Sequence, residues 1–325
     1  MPRALVHKAA DGEVLLQDAV RTGDDRFTVA ARLPRDHFLG HRGTAAAGDP
    51  LLLAEAVRQS AIYLSHRFYG VPEGHAFILS SLDFALDAPL PPGGPDAAPL
   101  VLEVTCTVAP RGPRRLGARL EAEVHCEGRR LGRVGARWQA VERKQYAVLR
   151  LRGGGTTQLP DVAPELSDRH APYSDEVLEA VTGAEGQWRV RLDLGHPVLF
   201  DHLSDHIPGM VLIEGFRQAA LTAADADDRS GGPLAAAVTF HAFGELTDPP
   251  AFVVRQDGDG TEYDTECGTE YGTDPANAAG NSPAGEPGSP AGREPQHFTA
   301  VQGGRTIASC TISVATRLPI GGPAC

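Results

Sequence analysis

Lysine is nearly absent: Lys8 and Lys144 are the only two among 30 basic residues, set against 42 acidic ones, and the 325-residue chain carries a net charge of −12. No cluster of Lys or Arg interrupts that balance, which argues against a nucleic-acid partner or an anionic membrane surface. No apolar run approaches the ~18 residues of a bilayer-spanning helix. The start, "MPRALVHKAADGEV", lacks the apolar centre of a secretory signal, so a cytoplasmic protein is expected. Cys106, Cys126, Cys267, Cys310 and Cys325 are odd in number and show no C-x-x-C spacing. Neither a disulfide framework nor a zinc site follows from them, and reduced structural thiols are the expectation. G-x-S-x-G is missing, and the glycine-rich "RGGGTT" has no Lys-Ser/Thr behind it. No serine-nucleophile elbow, nucleotide or other cofactor is implied.

What the chain does contain is a diverged internal repeat. "DPLLLAEAVRQSA" from Asp49 resembles "PGMVLIEGFRQAA" from Pro208, and the shared E-x-x-R-Q sets Glu55, Arg58 and Gln59 against Glu214, Arg217 and Gln218, each pair 159 residues apart. Upstream, Asp36-His37 matches Asp201-His202. Each copy reads as strands, one long helix, then further strands. In the first copy the helix opens at Pro50 and stops at Gly70. The stretches "AFILSSLDFAL", "LVLEVTCTV", "RLGARLEAEVHCE" and "RLGRVGARWQAV" follow as an antiparallel meander. The second copy repeats this with "QWRVRLDL", the Glu214 helix, "AAAVTFHAFGEL", "AFVVR", "HFTAV" and "RTIASCTISVATRL". The expected class is α+β, each half a central helix wrapped by a curved antiparallel sheet.

The expected boundaries are a first domain over residues 1–151, a linker over 152–172 and a second domain over 173–325. Residues 257–296 carry nine acidic residues against one arginine and scarcely an aliphatic side chain larger than alanine. Such a segment buries too little to offset ordering entropy, so it reads as a disordered insertion in a strand-to-strand loop.

On a helix, Glu, Arg and Gln at i, i+3 and i+4 share one face. One reading is a solvated Glu–Arg pair worth a few tenths of a kcal/mol. The other is a buried functional set, favoured by the recurrence of the triplet, its apolar neighbours and the Asp-His before it. His202 and His206 are spaced for a metal only on a helix, and Pro208 follows too closely for one. Loop hydrogen bonds are the better expectation there. His241, beside Phe240, reads as a structural histidine on a strand.

P-G-x-x-x-x-E-x-x-x-Q at a helix start with His upstream resembles hot-dog thioester enzymes such as β-hydroxyacyl-carrier dehydratases, through Pro208, Gly209, Glu214, Gln218 and His202. Arg217 departs from that pattern, and the loop from His to Pro is two residues shorter. That arginine, the lead-in "DHLSDHIPGM", the tandem copies and the N-terminal "VHKA" with "EVLL" are together similar to the A-factor biosynthesis (AfsA) family of γ-butyrolactone synthases. The resemblance implies an acyltransferase with a double hot-dog fold. It would move a β-ketoacyl group from acyl-carrier protein to the hydroxyl of dihydroxyacetone phosphate, and the ester would then close to a butenolide.

On that reading Glu214 is the general base, His202 a second acid/base group, and Arg217 the phosphate ligand with Gln218 in support. Gly209 lets backbone N–H groups approach the thioester oxyanion. Because Pro50 occupies the position of Gly209 and has no N–H, the Glu214 helix is expected to carry the chemistry. Glu55, Arg58 and Gln59 would form a supporting or vestigial site, and the related dehydratases imply that His37 faces Glu214. A thioester dehydratase or hydratase, and a non-catalytic lactone-binding regulator, are the alternatives.

Overall fold

The computed structural model describes residues 1–34, 37–40, 47–94, 98–110, 115–160, 176–223, 233–246, 252–256 and 295–314. Strands β1 (Leu16–Gly23) and β2 (Arg26–Ala31) precede the helix α1 (Pro50–Tyr69). Then come β3 (Ala76–Leu86), β4 (Leu100–Pro110), β5 (Arg115–Cys126) and β6 (Arg129–Val141). A helix α2 (Arg143–Arg152) leads to β7 (Leu178–Ala180), β8 (Gln187–Val190) and the helix α3 (Gly209–Ala223). The last strands are β9 (Pro233–Phe240), β10 (Phe252–Gln256), β11 (Gln296–Gln302) and β12 (Arg305–Val314).

The start and stop of α1 follow from local chemistry. Asp49 caps it by accepting from the Leu51 N–H at 3.0 Å, Pro50 stands in the first turn, and Gly70 closes it in the left-handed conformation at φ 65°. The helix is buried on most of its surface, as required of an element enclosed by a sheet.

The twelve strands among the described residues form one sheet, ordered β1-β2-β4-β5-β6-β3-β9-β12-β11-β10-β8-β7. Read outward from the centre, the halves run β3, β6, β5, β4, β2, β1 and β9, β12, β11, β10, β8, β7, so the second half repeats the first about the β3–β9 seam. That seam is antiparallel, from Ser81 opposite Thr239 to Ala85 opposite Ala235. One hydrophobic core joins the halves, with Leu53, Val57 and Leu64 of α1 in the same cluster as Val211, Phe216 and Ala220 of α3.

The structure departs from the sequence reading in three places. Helix α2 and the short β7 were not expected. His241 lies just beyond the end of β9 rather than on it, exposed and hydrogen-bonded to Ser309 Oγ at 2.9 Å. Strand β11 begins at Gln296, the last residue assigned to the acidic insertion, while residues 257–294, Asp36, Cys267, Cys325 and residues 161–175 lie outside the described set. Cys106, Cys126 and Cys310 are free and buried. Among the described residues, no helix is long and apolar enough to cross a membrane.

Candidate active site

Both E-x-x-R-Q triplets fold as the spacing demands. On α1, Arg58 donates from Nε to Glu55 Oε2 at 2.8 Å and from Nη2 to Glu55 Oε1 at 2.7 Å. Gln59 Nε2 donates to the same Oε1 and to the Glu13 carbonyl, each at 2.8 Å, while Gln59 Oε1 accepts from the Leu15 N–H ahead of β1. On α3, Arg217 forks onto both oxygens of Glu214, and Gln218 donates to Glu214 and accepts from the Val177 N–H ahead of β7 at 3.0 Å. Each glutamine thus pins its helix to the first strand of its own half.

The surroundings of the two triplets differ. Glu55 and Glu214 are both fully buried, but the Arg217 side chain is only 2% exposed whereas that of Arg58 is 20% exposed. Lys8 reaches the α1 triplet, with Nζ 3.2 Å from Glu55 Oε1 and 3.9 Å from both Glu13 and Asp201. Burial works to raise the Glu55 carboxyl, but the charges of Arg58 and Lys8 and the hydrogen bonds from Arg58 and Gln59 outweigh it, holding the group far below the usual carboxylate range. Glu55 is therefore a permanent anion at neutral pH, with both oxygens engaged. That makes it a clamp for cations rather than a proton acceptor.

Lys8 also brings the second half of the chain onto the first. Asp201 accepts from the Ala9 N–H at 2.9 Å and bonds His202 Nδ1 at 2.8 Å. Burial pushes the Asp201 carboxyl up, yet the His202 hydrogen bond and the Lys8 charge hold it below its ordinary value. The His202 side chain is 57% exposed, and its Nε2 makes no hydrogen bond among the described residues. His7 lies nearby, 3.0 Å from His66 through their Nε2 atoms; burial first, then the fields of His66, Arg58 and His202, lower it to about 4.

The pseudo-equivalent of His202 is His37, and its situation is the reverse. His37 is buried, its Nδ1 accepts from the Leu39 N–H at 3.1 Å, and its Nε2 donates to Glu13 at 2.8 Å. Both ring nitrogens are consumed. Its partner is Glu13, not Glu214, whose described partners are Arg217 and Gln218 alone. Gly209 opens α3 against Phe240: a Cβ there would sit 3.3 Å from the ring, so close packing gives this glycine a structural reason.

These halves also match known sequences. The model of the A-factor biosynthesis hotdog domain matches residues 1–142 and 159–246. The chain belongs to that family. Among its relatives, a 2-oxo-3-(phosphooxy)propyl 3-oxoalkanoate synthase of Streptomyces virginiae is 38% identical over 228 residues, 68% of this chain and 76% of that one. Another of the same description from Streptomyces griseus is 35% identical over 252 residues, 75% and 82% of the two chains. A solved acyl-ACP thioesterase from Bacteroides thetaiotaomicron overlaps at a TM-score of 0.45 with 10% identity, covering 89% of this chain and 97% of that one.

Seven of the nine sequence-derived site residues fall into two groups. Glu55, Arg58, Gln59 and His202 gather around Lys8, while Glu214, Arg217 and Gln218 form a sealed set of their own. Sequence reasoning gave no site role to Lys8 or Glu13, and it read Asp201 only as the repeat counterpart of Asp36 ahead of His202. Lys8 carried a signal, being one of two lysines and part of the quoted "VHKA".

Helix α2 supports the loop that bears His202. Arg150, 1% exposed in its side chain, donates from Nη1 and Nη2 to Glu245 at 2.6 and 2.8 Å and to the Asp205 carbonyl at 2.7 Å. Its guanidinium carbon lies 4.7 Å from the centre of the Phe243 ring. Tyr146 donates to Asp205 at 2.6 Å, and Asp205 also bonds His206 Nδ1 at 2.7 Å.

Proposed function

We propose that this hot-dog acyltransferase joins a β-ketoacyl group, delivered as the thioester of an acyl-carrier protein, to dihydroxyacetone phosphate, and does so at the α1 face. The names of the relatives describe the ester of a 3-oxoalkanoic acid with a phosphorylated three-carbon keto-alcohol, which is the product of that transfer. The observation that carries the site assignment is the contrast between His202 and His37: one has an open Nε2 and a carboxylate on Nδ1, and the other has no nitrogen to spare.

His202 removes the hydroxyl proton of the acceptor through Nε2 as the oxygen attacks the thioester carbonyl. Asp201, held ionised, keeps the Nδ1 proton in place and stabilises the imidazolium. Collapse of the tetrahedral intermediate forms the ester C–O bond and breaks the C–S bond. The leaving thiolate takes the proton back from His202, which closes the cycle. Arg58 supplies positive charge for the phosphate at a partly exposed position, already oriented by Glu55. Lys8 and Gln59 position Glu55 and, through it, Arg58. This assigns proton transfer to His202 rather than to Glu214, and phosphate binding to Arg58 rather than to Arg217, whose guanidinium is shielded from solvent and committed to Glu214.

The test is a matched pair of variants. His202→Asn lowers transfer to dihydroxyacetone phosphate by about 10²–10⁴-fold with an unchanged melting temperature. His37→Asn keeps the rate within a few fold but loses about 1–3 kcal/mol of stability, because Glu13 loses a buried donor. Equal rate losses in the two proteins would defeat the assignment.

A further inference from the structure

Helix α2 has an outward face that neither the fold nor the reaction centre uses. Its sequence, RKQYAVLRLR, holds four basic residues and no acidic one, in a chain of net charge −12. Tyr146 and Arg150, four residues apart, face inward to Asp205. Lys144, Val148 and Leu151, at i, i+4 and i+7, share the opposite stripe. Val148 is 47% and Leu151 66% exposed, and Arg143, Lys144 and Arg152 are exposed around them. Arg305, from the start of β12, adds another cation where its Nη1 donates to the Gly153 carbonyl at 3.3 Å. Leu203, 40% exposed, stands beside His202 on the loop that α2 braces.

An apolar stripe ringed by cations, on an otherwise acidic protein, is complementary to an acidic partner that presents an apolar ridge. We propose that this face of α2 docks the acidic acyl-carrier protein that brings the β-ketoacyl thioester, seating it beside the His202 loop. The proposal rests on the acyl-transfer reading above and adds to it the surface that recognises the donor. An acidic enzyme and an acidic carrier repel each other overall at long range, so the local reversal of sign on α2 also sets the docking orientation.

The experiment compares two donors bearing one acyl group, the carrier-bound thioester and the same acyl group on free pantetheine, with dihydroxyacetone phosphate as acceptor. Lys144→Glu/Arg152→Glu and Leu151→Ser should each raise KM for the carrier-bound donor about tenfold or more. Both should leave kinetics with acyl-pantetheine within twofold of the parent. The effect of the charge reversals should shrink as salt is raised. An unchanged KM for the carrier, or equal loss with both donors, overturns the docking assignment. Failure of the parent protein to use either donor overturns the acyl-transfer reading instead. The docking claim is then decided by titrating holo-carrier protein into each variant: binding weakened by Lys144→Glu/Arg152→Glu supports it, and equal binding overturns it. Sedimentation of the parent and the variants should give one mass. A dimer that dissociates on charge reversal would assign the face to a second copy of the chain and overturn the proposal.

Discussion

The α1 and α3 helices present the same three polar side chains at the same spacing, with the same fork from arginine to glutamate and the same glutamine bond to the first strand of the half. Around α1 stand Lys8, a partly exposed Arg58 and an open histidine presented by the other half. Around α3 the arginine is sealed, and His37, the sequence counterpart of His202, bonds Glu13, whose carboxylate lies 3.9 Å from Lys8 on the α1 side. The shared triplet has a structural part in both halves: the ion pair lies within the helix, and the glutamine beside it ties the helix to the segment ahead of the first strand. In the proposed assignment, chemistry is added at α1, where a neighbouring segment leaves a nitrogen and a cation facing solvent. A duplicated fold lets one copy keep the device and the other build on it.

The sharpest way to break this comparison is to delete the charge pair from each half in turn. Replacing a buried ion pair by groups of similar size is often neutral or stabilising by about 1–4 kcal/mol. Glu214→Gln/Arg217→Met should therefore keep its melting temperature and its transfer rate. Glu55→Gln/Arg58→Met should fold as well, yet lose at least about 10²-fold in transfer, because the preorganised cation for the phosphate is gone. Rates and thermal melts of the two double variants are the check, and a dead α3 variant beside an active α1 variant would reverse the roles of the halves.

A smaller effect should appear in the pH dependence of stability. His7 beside α1 is held to about 4 by burial and by the fields of His66, Arg58 and His202, against an unfolded value near 6.5. Above pH ~6.5 both states are neutral at this group and its stabilising effect is complete. As pH falls from there to about 4, the unfolded chain takes up a proton that the folded chain refuses, so stability declines; below that range the decline from this group ends. His7→Gln should make the stability curve from urea melts shallower in that window. A curve with unchanged slope would remove His7 from the charge cluster at the mouth of the site.

The least effect is expected from the acidic segment. Strands β10 and β11 are antiparallel neighbours, with Gln256 opposite Phe298, so the chain ends that the segment joins lie side by side. Replacing residues 257–294 by a short Gly/Ser turn should leave folding and transfer intact, since closure entropy grows slowly with loop length. Loss of soluble protein would show that the segment takes part in the fold of the second half.

Much of the fold was legible because its signals are local. Pro50 and Gly70 bound α1 at both ends, period-two alternation marks the long strands β3 to β6, and a recurrent E-x-x-R-Q reveals the second copy. Helix α2 was not legible: its exposed Val148 and Leu151 blur any apolar stripe, and it is held through Arg150 to Glu245 and Asp205, far along the chain. The site was half legible for the same reason. Spacing places Glu, Arg and Gln on one face, but which triplet acquires a lysine and an open histidine depends on contacts such as Lys8 with Asp201, 193 positions apart in the sequence. Reading Pro50 against Gly209 pointed to the α3 copy, whereas the proposed assignment takes α1; the close packing of Gly209 on Phe240 offers that glycine a second reason besides chemistry.

The central claim, that the α1 face is the reaction centre and the α3 triplet is structural, is tested most directly by a crystal structure of the protein soaked with dihydroxyacetone phosphate. The account predicts the phosphate against Arg58 and the hydroxyl within hydrogen-bond reach of His202 Nε2, with Arg217 still forked on Glu214. A phosphate bound to Arg217, with His202 left in solvent, would contradict it.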